Sequence, residues 1–175
     1  MKFRKAITED LKTLTELVNS AVAAMKADGI DQWQKGYPNK EILTEDIRRG
    51  SMYVLETEEE LVGMLNLQQE PEPSYRRIDG TWLNDLPYAS FHRVCVASSQ
   101  RGKGYAGILF REAEALSLSL GFSSVRIDTH PENRAMQQAL SKGGYVLCGT
   151  IHLVGGAENG DPRLAYQKQL VPAIG

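Results

Sequence analysis

Apolar positions along the chain alternate between two periods, and the changes of period mark the elements. Lys2 to Ile7 alternates loosely and reads as a short strand. Thr8 is an expected N-cap, with Glu9 and Asp10 in a first turn where negative charge suits the helix dipole. Leu11, Leu14, Leu17, Val18, Ala21, Val22 and Met25 then recur at helical spacing, and Asp28-Gly29 ends the run. After an aromatic loop from Trp33 to Pro38, too polar a run to be core, a shorter helix is predicted from Lys40 to Arg49, closed by Gly50. Met52–Thr57 and Leu61–Gln68 flank the acidic turn Glu58-Glu59-Glu60 as a hairpin. Pro71 to Pro87 has three prolines and no period, so it reads as a long functional or mobile loop. Ala89–Ala97 is the strongest strand, apolar on consecutive positions at Val94, Cys95 and Val96, as in a strand covered on both faces. A glycine-bearing turn and a long helix follow, with an expected buried stripe of Leu109, Ala113, Leu116 and Leu120 stopped by Gly121. Ser124–Thr129 is a further strand and Asn133–Lys142 a short helix. Tyr145–Val154 and Arg163–Leu170 form a closing hairpin. The order β-α-α-β-β-β-α-β-α-β-β mixes hairpins with helical crossovers. It predicts an α/β fold with a mixed sheet and helices on both faces.

Composition narrows the class without naming a chemistry. The 175 residues fit a single domain, expected to run from 1 to 175, and 42% apolar with 24% charged residues is an ordinary globular balance. Twenty Lys and Arg against 22 Asp and Glu give a net charge of −2, so neither nucleic acid nor an anionic membrane is an expected partner. Cys95 and Cys148 lie in apolar runs with no paired spacing, as expected for two buried, reduced thiols. The N-terminal Met1-Lys2-Phe3-Arg4-Lys5 has no apolar signal core, and no stretch is apolar enough to span a bilayer, so a cytoplasmic location is expected.

One segment carries chemistry: Val94-Cys95-Val96-Ala97-Ser98-Ser99-Gln100-Arg101-Gly102-Lys103-Gly104-Tyr105-Ala106. A buried strand ends, a turn with two cations and two glycines follows, and a long helix begins. Glycines let backbone N–H groups approach an anion closely, and the first turn of a helix offers N–H groups without partners in a favourable dipole. The plain alternative is a tight strand-to-helix connection bearing two solvated cations. The nucleotide P-loop does not fit, because Gly104 and not Ser or Thr follows Lys103. The dinucleotide fingerprint does not fit either, because it needs three glycines at the start of a βαβ unit.

Arg101-Gly102-Lys103-Gly104-Tyr105-Ala106 resembles the Arg/Gln-x-x-Gly-x-Gly/Ala signature of the GNAT superfamily, the acyl-CoA-dependent N-acyltransferases. Asp128-Thr129-His130-Pro131-Glu132-Asn133, followed by Lys142-Gly143-Gly144-Tyr145, is similar to that family's later strand, Asn, short helix and Lys-x-Gly-aromatic segment. The order of elements also matches. The resemblance implies a mostly antiparallel, twisted sheet of about seven strands. It also implies acetyl-CoA as acyl-donor substrate with no metal, its pyrophosphate held by Arg101 to Ala106. The pantetheine arm would pair with backbone groups of Val94 and Val96 and touch Asn133, and the thioester would sit where the strands of Val94 and Ile127 diverge. A backbone N–H near Val94 would stabilise the oxyanion. The chain departs from the family at Leu140, seven residues after Asn133, where relatives carry a Tyr that protonates the leaving thiolate. That role is left to Tyr105, Tyr145, water or no group at all.

His92 alternates with Val94 and so is expected on its face; as an imidazole near the thioester it is a candidate base, against the plainer reading of a His bonded in the sheet. Asp128, with His130 two residues on, is a candidate to orient an imidazole or to bind a cationic substrate, against a strand-end Asp capping a turn. Trp33 and Tyr37 in the first aromatic loop are candidate substrate-binding residues together with His130, or else packing anchors. Trp82 would cover the acceptor or anchor the long loop. His92, His130 and His152 lack metal-ligand spacing, and no Gly-x-Ser-x-Gly elbow supports a hydrolase. The sequence therefore reads as an N-acetyltransferase for a primary amine of a small molecule or peptide. The alternatives are a non-catalytic acyl-CoA-binding module and a module for another phosphate ligand. A homodimer is left open.

Overall fold

A computed structural model describes residues 1–171 of the chain. Its elements are β1 (Lys2–Lys5), α1 (Leu11–Ala27), α2 (Lys40–Arg49), β2 (Met52–Glu56), β3 (Leu61–Gln68), β4 (Asp79–Gly80), β5 (Tyr88–Val96), α3 (Tyr105–Ser119), β6 (Ser124–Thr129), α4 (Arg134–Lys142), β7 (Val146–His152) and β8 (Pro162–Gln169). The strands form one mixed, mostly antiparallel sheet of eight in the order β1-β2-β3-β5-β6-β8-β7-β4. The chain divides into two compact units, Met1–Leu67 with His92–Leu109, and Gln68–Phe91 with the chain from Phe110 onward.

In the first unit, β1 and β2 pair antiparallel from Lys2 opposite Glu56 to Lys5 opposite Tyr53, and β2 continues antiparallel to β3. The core gathers Leu14, Leu17, Val18, Ala21 and Met25 of α1 with Leu43 of α2, Met52, Val54 and Met64 of the hairpin, and Cys95 and Ala97. The α1 stripe is thus buried as its spacing predicts. Its start differs: Thr8–Asp10 is a 3₁₀ turn closed by the Asp10 carboxylate, which accepts the Ile7 N–H at 2.8 Å, and Asp10 itself stands at the N-cap position of α1 without a side-chain bond to that helix. Arg4 adds a bidentate contact to Asp10 at 2.7 and 3.1 Å and reaches Glu56 of β2 at 2.7 Å. A long carboxylate-to-guanidinium contact of this kind ties a helix start to a strand, so Asp10 does more here than the Thr8 hydroxyl can.

In the second unit, Tyr88–Phe91 of β5 runs parallel to Ser124–Ile127 of β6, and β6, β8 and β7 continue antiparallel. The seven expected strands are all present; the eighth, β4, lies in the stretch that lacks periodicity. It pairs with β7 through Gly80 opposite Gly149, where an added Cβ at either glycine would come within 2.1 Å of backbone oxygen. A satellite core of Tyr75, Ile151 and Ala165, with Ile78, Trp82 and Tyr88 packed on it, anchors the same stretch. The Trp82 indole N–H donates to Tyr75 O at 3.1 Å, so Trp82 is an anchor of this segment. On α3 the buried positions are Leu109, Phe110, Ala113, Glu114 and Ser117, whereas Leu120 is exposed just past the helix end. The buried stripe is therefore rotated toward Phe110, Glu114 and Ser117 relative to the one predicted through Leu116 and Leu120.

Candidate active site

The glycine-bearing turn after β5 is built within the first unit. β5 ends at Val96, Ser98–Gln100 makes a 3₁₀ turn, and α3 starts at Tyr105. Between them Gly102 and Gly104 have φ +77° and +82°, left-handed backbone that a Cβ would disfavour, and nothing stands within 4 Å of where either Cβ would lie. The first amide that closes a bond of α3 is Ile108, onto Gly104 O at 3.3 Å. The amides before it are the donors that every helix start leaves over. Arg101, Gly102, Lys103 and Gly104 are exposed and Tyr105 and Ala106 half-buried. Lys103 Nζ donates to Gln100 Oε1 at 2.8 Å, and Gln100 in turn donates to Glu60, which holds the turn in shape. Arg101 makes no ion pair among the described residues, so its charge is available to an anion.

Upstream of the turn, β5 is not a regular strand. Arg93 has φ +52°, and its guanidinium is held by Asp46 of α2 and by the Tyr37 hydroxyl, with contacts of 2.6, 2.9 and 2.7 Å. The left-handed residue interrupts the alternation, so the argument that places His92 on the face of Val94 does not carry across it. His92, Val94 and Val96 are half-buried, and Cys95 and Ala97 are buried. Burial pushes the Cys95 thiol up to about 12, which leaves it inert. Trp33 is only 8% exposed and packs in the first unit's core. Tyr37 packs on that core and its hydroxyl serves Arg93.

In the second unit Asp128 ends β6 half-buried. Tyr75, itself buried, donates its hydroxyl to Asp128 Oδ2 at 2.7 Å. Burial raises the carboxyl to about 6, against the lowering effects of the Tyr75 hydrogen bond and the Arg163 charge. His130 Nδ1 accepts the Glu132 N–H at 3.1 Å within the turn that leads to α4. Asn133 caps α4 by accepting the Met136 N–H at 3.1 Å. Tyr145 is buried against Phe110 and donates its hydroxyl to Glu114 at 2.8 Å, with Lys168 on the other carboxylate oxygen at 2.7 Å. Burial raises the Tyr145 hydroxyl well above its ordinary value, so it is a poor proton donor.

A family model of the acetyltransferase (GNAT) family matches residues 15–145. The chain belongs to the GNAT acetyltransferase family. A GNAT acetyltransferase from Streptococcus agalactiae is 33% identical, with a TM-score of 0.85 over 96% of this chain and 94% of its own. A GNAT acetyltransferase from Listeria monocytogenes is 21% identical, with a TM-score of 0.72 over 97% of this chain and 94% of its own. A GNAT phosphinothricin acetyltransferase from Sinorhizobium meliloti, solved in complex with acetyl-CoA, shares the fold at 17% identity, with a TM-score of 0.68 over 97% of this chain and 88% of its own. No curated protein matches the sequence. As in the resemblance drawn from the sequence, Leu140 stands on α4 where GNAT relatives carry a Tyr, and it is fully buried. Among the described residues no cluster of His, Cys, Asp or Glu is placed to hold a metal ion, and no helix is long and apolar enough to cross a membrane.

Sequence reasoning singled out the turn, Val94, Val96 and Asp128 as candidates and passed over Tyr75, Asp46 and Arg93, which the structure joins to them or to their strand. Tyr75 sits in a segment without period, and Asp46 is one of several carboxylates on a helix whose face alone gives no hint of its partner. Arg93 reads as an ordinary outward strand residue until its backbone is seen.

Proposed function

We propose that this GNAT member is an acetyl-CoA-dependent N-acetyltransferase that passes acetyl directly from the thioester to a primary amine of a small molecule or peptide. The observation that carries the reading is the pair of left-handed glycines, Gly102 and Gly104, at the unpartnered start of α3 with Arg101 beside them. The residues fit the coenzyme: Arg101 to Ala106 would hold its pyrophosphate, and backbone groups of Val94 and Val96 would pair with the pantetheine arm. Asn133 would contact that arm from the start of α4. The S. meliloti relative, solved with acetyl-CoA, supports the choice of donor.

An ammonium must lose a proton before it attacks the carbonyl. His92 and Asp128 are the candidates to take it, and the carboxyl of Asp128, raised to about 6, favours the carboxylate, which would also attract the cation. The amine's electron pair forms the N–C bond, the C–S bond breaks, and a backbone N–H near Val94 would stabilise the oxyanion in between. Since Leu140 is apolar and the Tyr145 hydroxyl is committed to Glu114, the leaving thiolate would take its proton from solvent or from Tyr105 at the start of α3.

Gly104→Glu tests the reading. Against Gly104→Ala, which brings the same left-handed strain without charge, the carboxylate should weaken acetyl-CoA binding at least about tenfold further and abolish thiol release. Equal affinities would remove the phosphate assignment. The buried Leu140 also favours a second reading, a non-catalytic acyl-CoA-binding module, which would bind acetyl-CoA yet release no thiol with any amine.

A further inference from the structure

Arg93 holds a backbone conformation that its own chemistry opposes. With φ +52° in the middle of a strand it is left-handed, and a residue with a Cβ is disfavoured there about 5- to 30-fold relative to glycine. What offsets that preference is visible. The guanidinium donates Nε and Nη2 to the two oxygens of Asp46 at 2.6 and 2.9 Å, and Nη1 to the Tyr37 hydroxyl at 2.7 Å. Both charged side chains are largely withdrawn from solvent, at 12% and 9% exposure. Burial works against the guanidinium's charge, and Tyr37 and Asp46 more than compensate, so it stays ionised. A planar fork bound on three sides fixes the direction of the chain that carries it, which a lysine ammonium cannot do.

The anchor points are themselves fixed. Asp46 lies on α2, whose start Asn39 caps through the Ile42 N–H at 3.0 Å, and Tyr37 packs on the first unit's core. Beyond Arg93 the strand resumes strict alternation, with Cys95 and Ala97 in the core and Val94 and Val96 half-buried. The residue that resets the strand is thus the one held by the clamp, directly before the two residues whose backbone the coenzyme would use.

We propose that Arg93 is a positioning residue: the Asp46–Arg93–Tyr37 clamp holds the left-handed turn in β5 and so aims the backbone groups of Val94 and Val96 at the pantetheine arm. The proposal rests on the acetyl-CoA reading given above.

Arg93→Ala and Arg93→Gly remove the same clamp, but only glycine accepts the left-handed backbone freely. Calorimetry should find acetyl-CoA bound about 5- to 30-fold more weakly by the Ala than by the Gly variant, with Arg93→Asn between them. The probe 3′-phospho-ADP, which lacks the pantetheine arm, should bind all of them as it binds the parent. Equal acetyl-CoA affinities for Ala and Gly would make the clamp an ordinary structural ion pair and overturn the proposal. So would parallel losses for 3′-phospho-ADP, which would mean that the turn at Gly102 is disturbed. A parent that binds no acetyl-CoA would sink the underlying reading instead. Should Arg93→Ala fail to fold, Tyr37→Phe removes one bond of the three. It should weaken acetyl-CoA about two- to tenfold and leave 3′-phospho-ADP unchanged, and no effect on either would again overturn the proposal.

Discussion

Asp128 shows how one residue's neighbours set its use. Its carboxyl rests at about 6 because burial outweighs the Tyr75 hydroxyl and the Arg163 charge, with Glu72 and Glu158 adding smaller upward pushes. If it takes the amine's proton, kcat/KM should fall as pH drops through about 6, where the base becomes protonated. Tyr75→Phe removes a hydrogen bond that favours the ionised form, so this acid limb should move to higher pH. Asp128→Asn should lower kcat/KM by about 10²- to 10⁴-fold and erase the limb. A limb that survives Asp128→Asn and disappears in His92→Ala would transfer the role to His92. Asp128 was legible in the sequence as a strand-end carboxylate. Its partner was not, because Tyr75 lies 53 residues away in a segment with no period. Nearby His130 looked the better partner, but its Nδ1 is spent on the turn it begins.

At the scale of elements, the pattern of apolar residues was sufficient wherever one face meets a core. α1, α2, the β2–β3 hairpin and β6 form where their periods place them, since burying that face is what makes each element stable. The pattern was silent where pairing is permitted by something missing. β4 exists because Gly80 and Gly149 lack side chains, and two exposed residues leave no periodic trace. Gly149→Ala should therefore separate β4 from β7 and cost about 1–3 kcal/mol in urea unfolding, while leaving the first unit's ligand affinity intact. Caps were legible in kind but not in position, since Asp10 and not Thr8 stands at the N-cap of α1. Asp10→Ala should cost about 1–3 kcal/mol near neutral pH. Arg4 holds the Asp10 carboxyl below its ordinary value. Its contribution is thus complete above about 4 and is lost as pH falls through the depressed value, so the gap between parent and variant should close in acid.

For the whole molecule, the signature at Arg101 to Ala106 and the order of elements led to the family, and the family model and the S. agalactiae structure agree with that assignment. The glycine-bearing turn could be read because it is continuous in sequence; two glycines, two cations and a helix start are all within one short segment. The clamp on β5 could not, because it joins Tyr37, Asp46 and Arg93 from three elements and its consequence is a backbone angle. Every step of the proposed transfer starts from bound acetyl-CoA. The most direct measurement is a thermal unfolding scan with acetyl-CoA, with ATP and NADH as controls. At a concentration about a hundred times Kd a ligand adds roughly 2.7 kcal/mol, which for a chain of this length should raise Tm by about 5–10 °C. The account predicts that rise with acetyl-CoA and none of comparable size with ATP or NADH; no shift with acetyl-CoA, or an equal one with ATP, would contradict it.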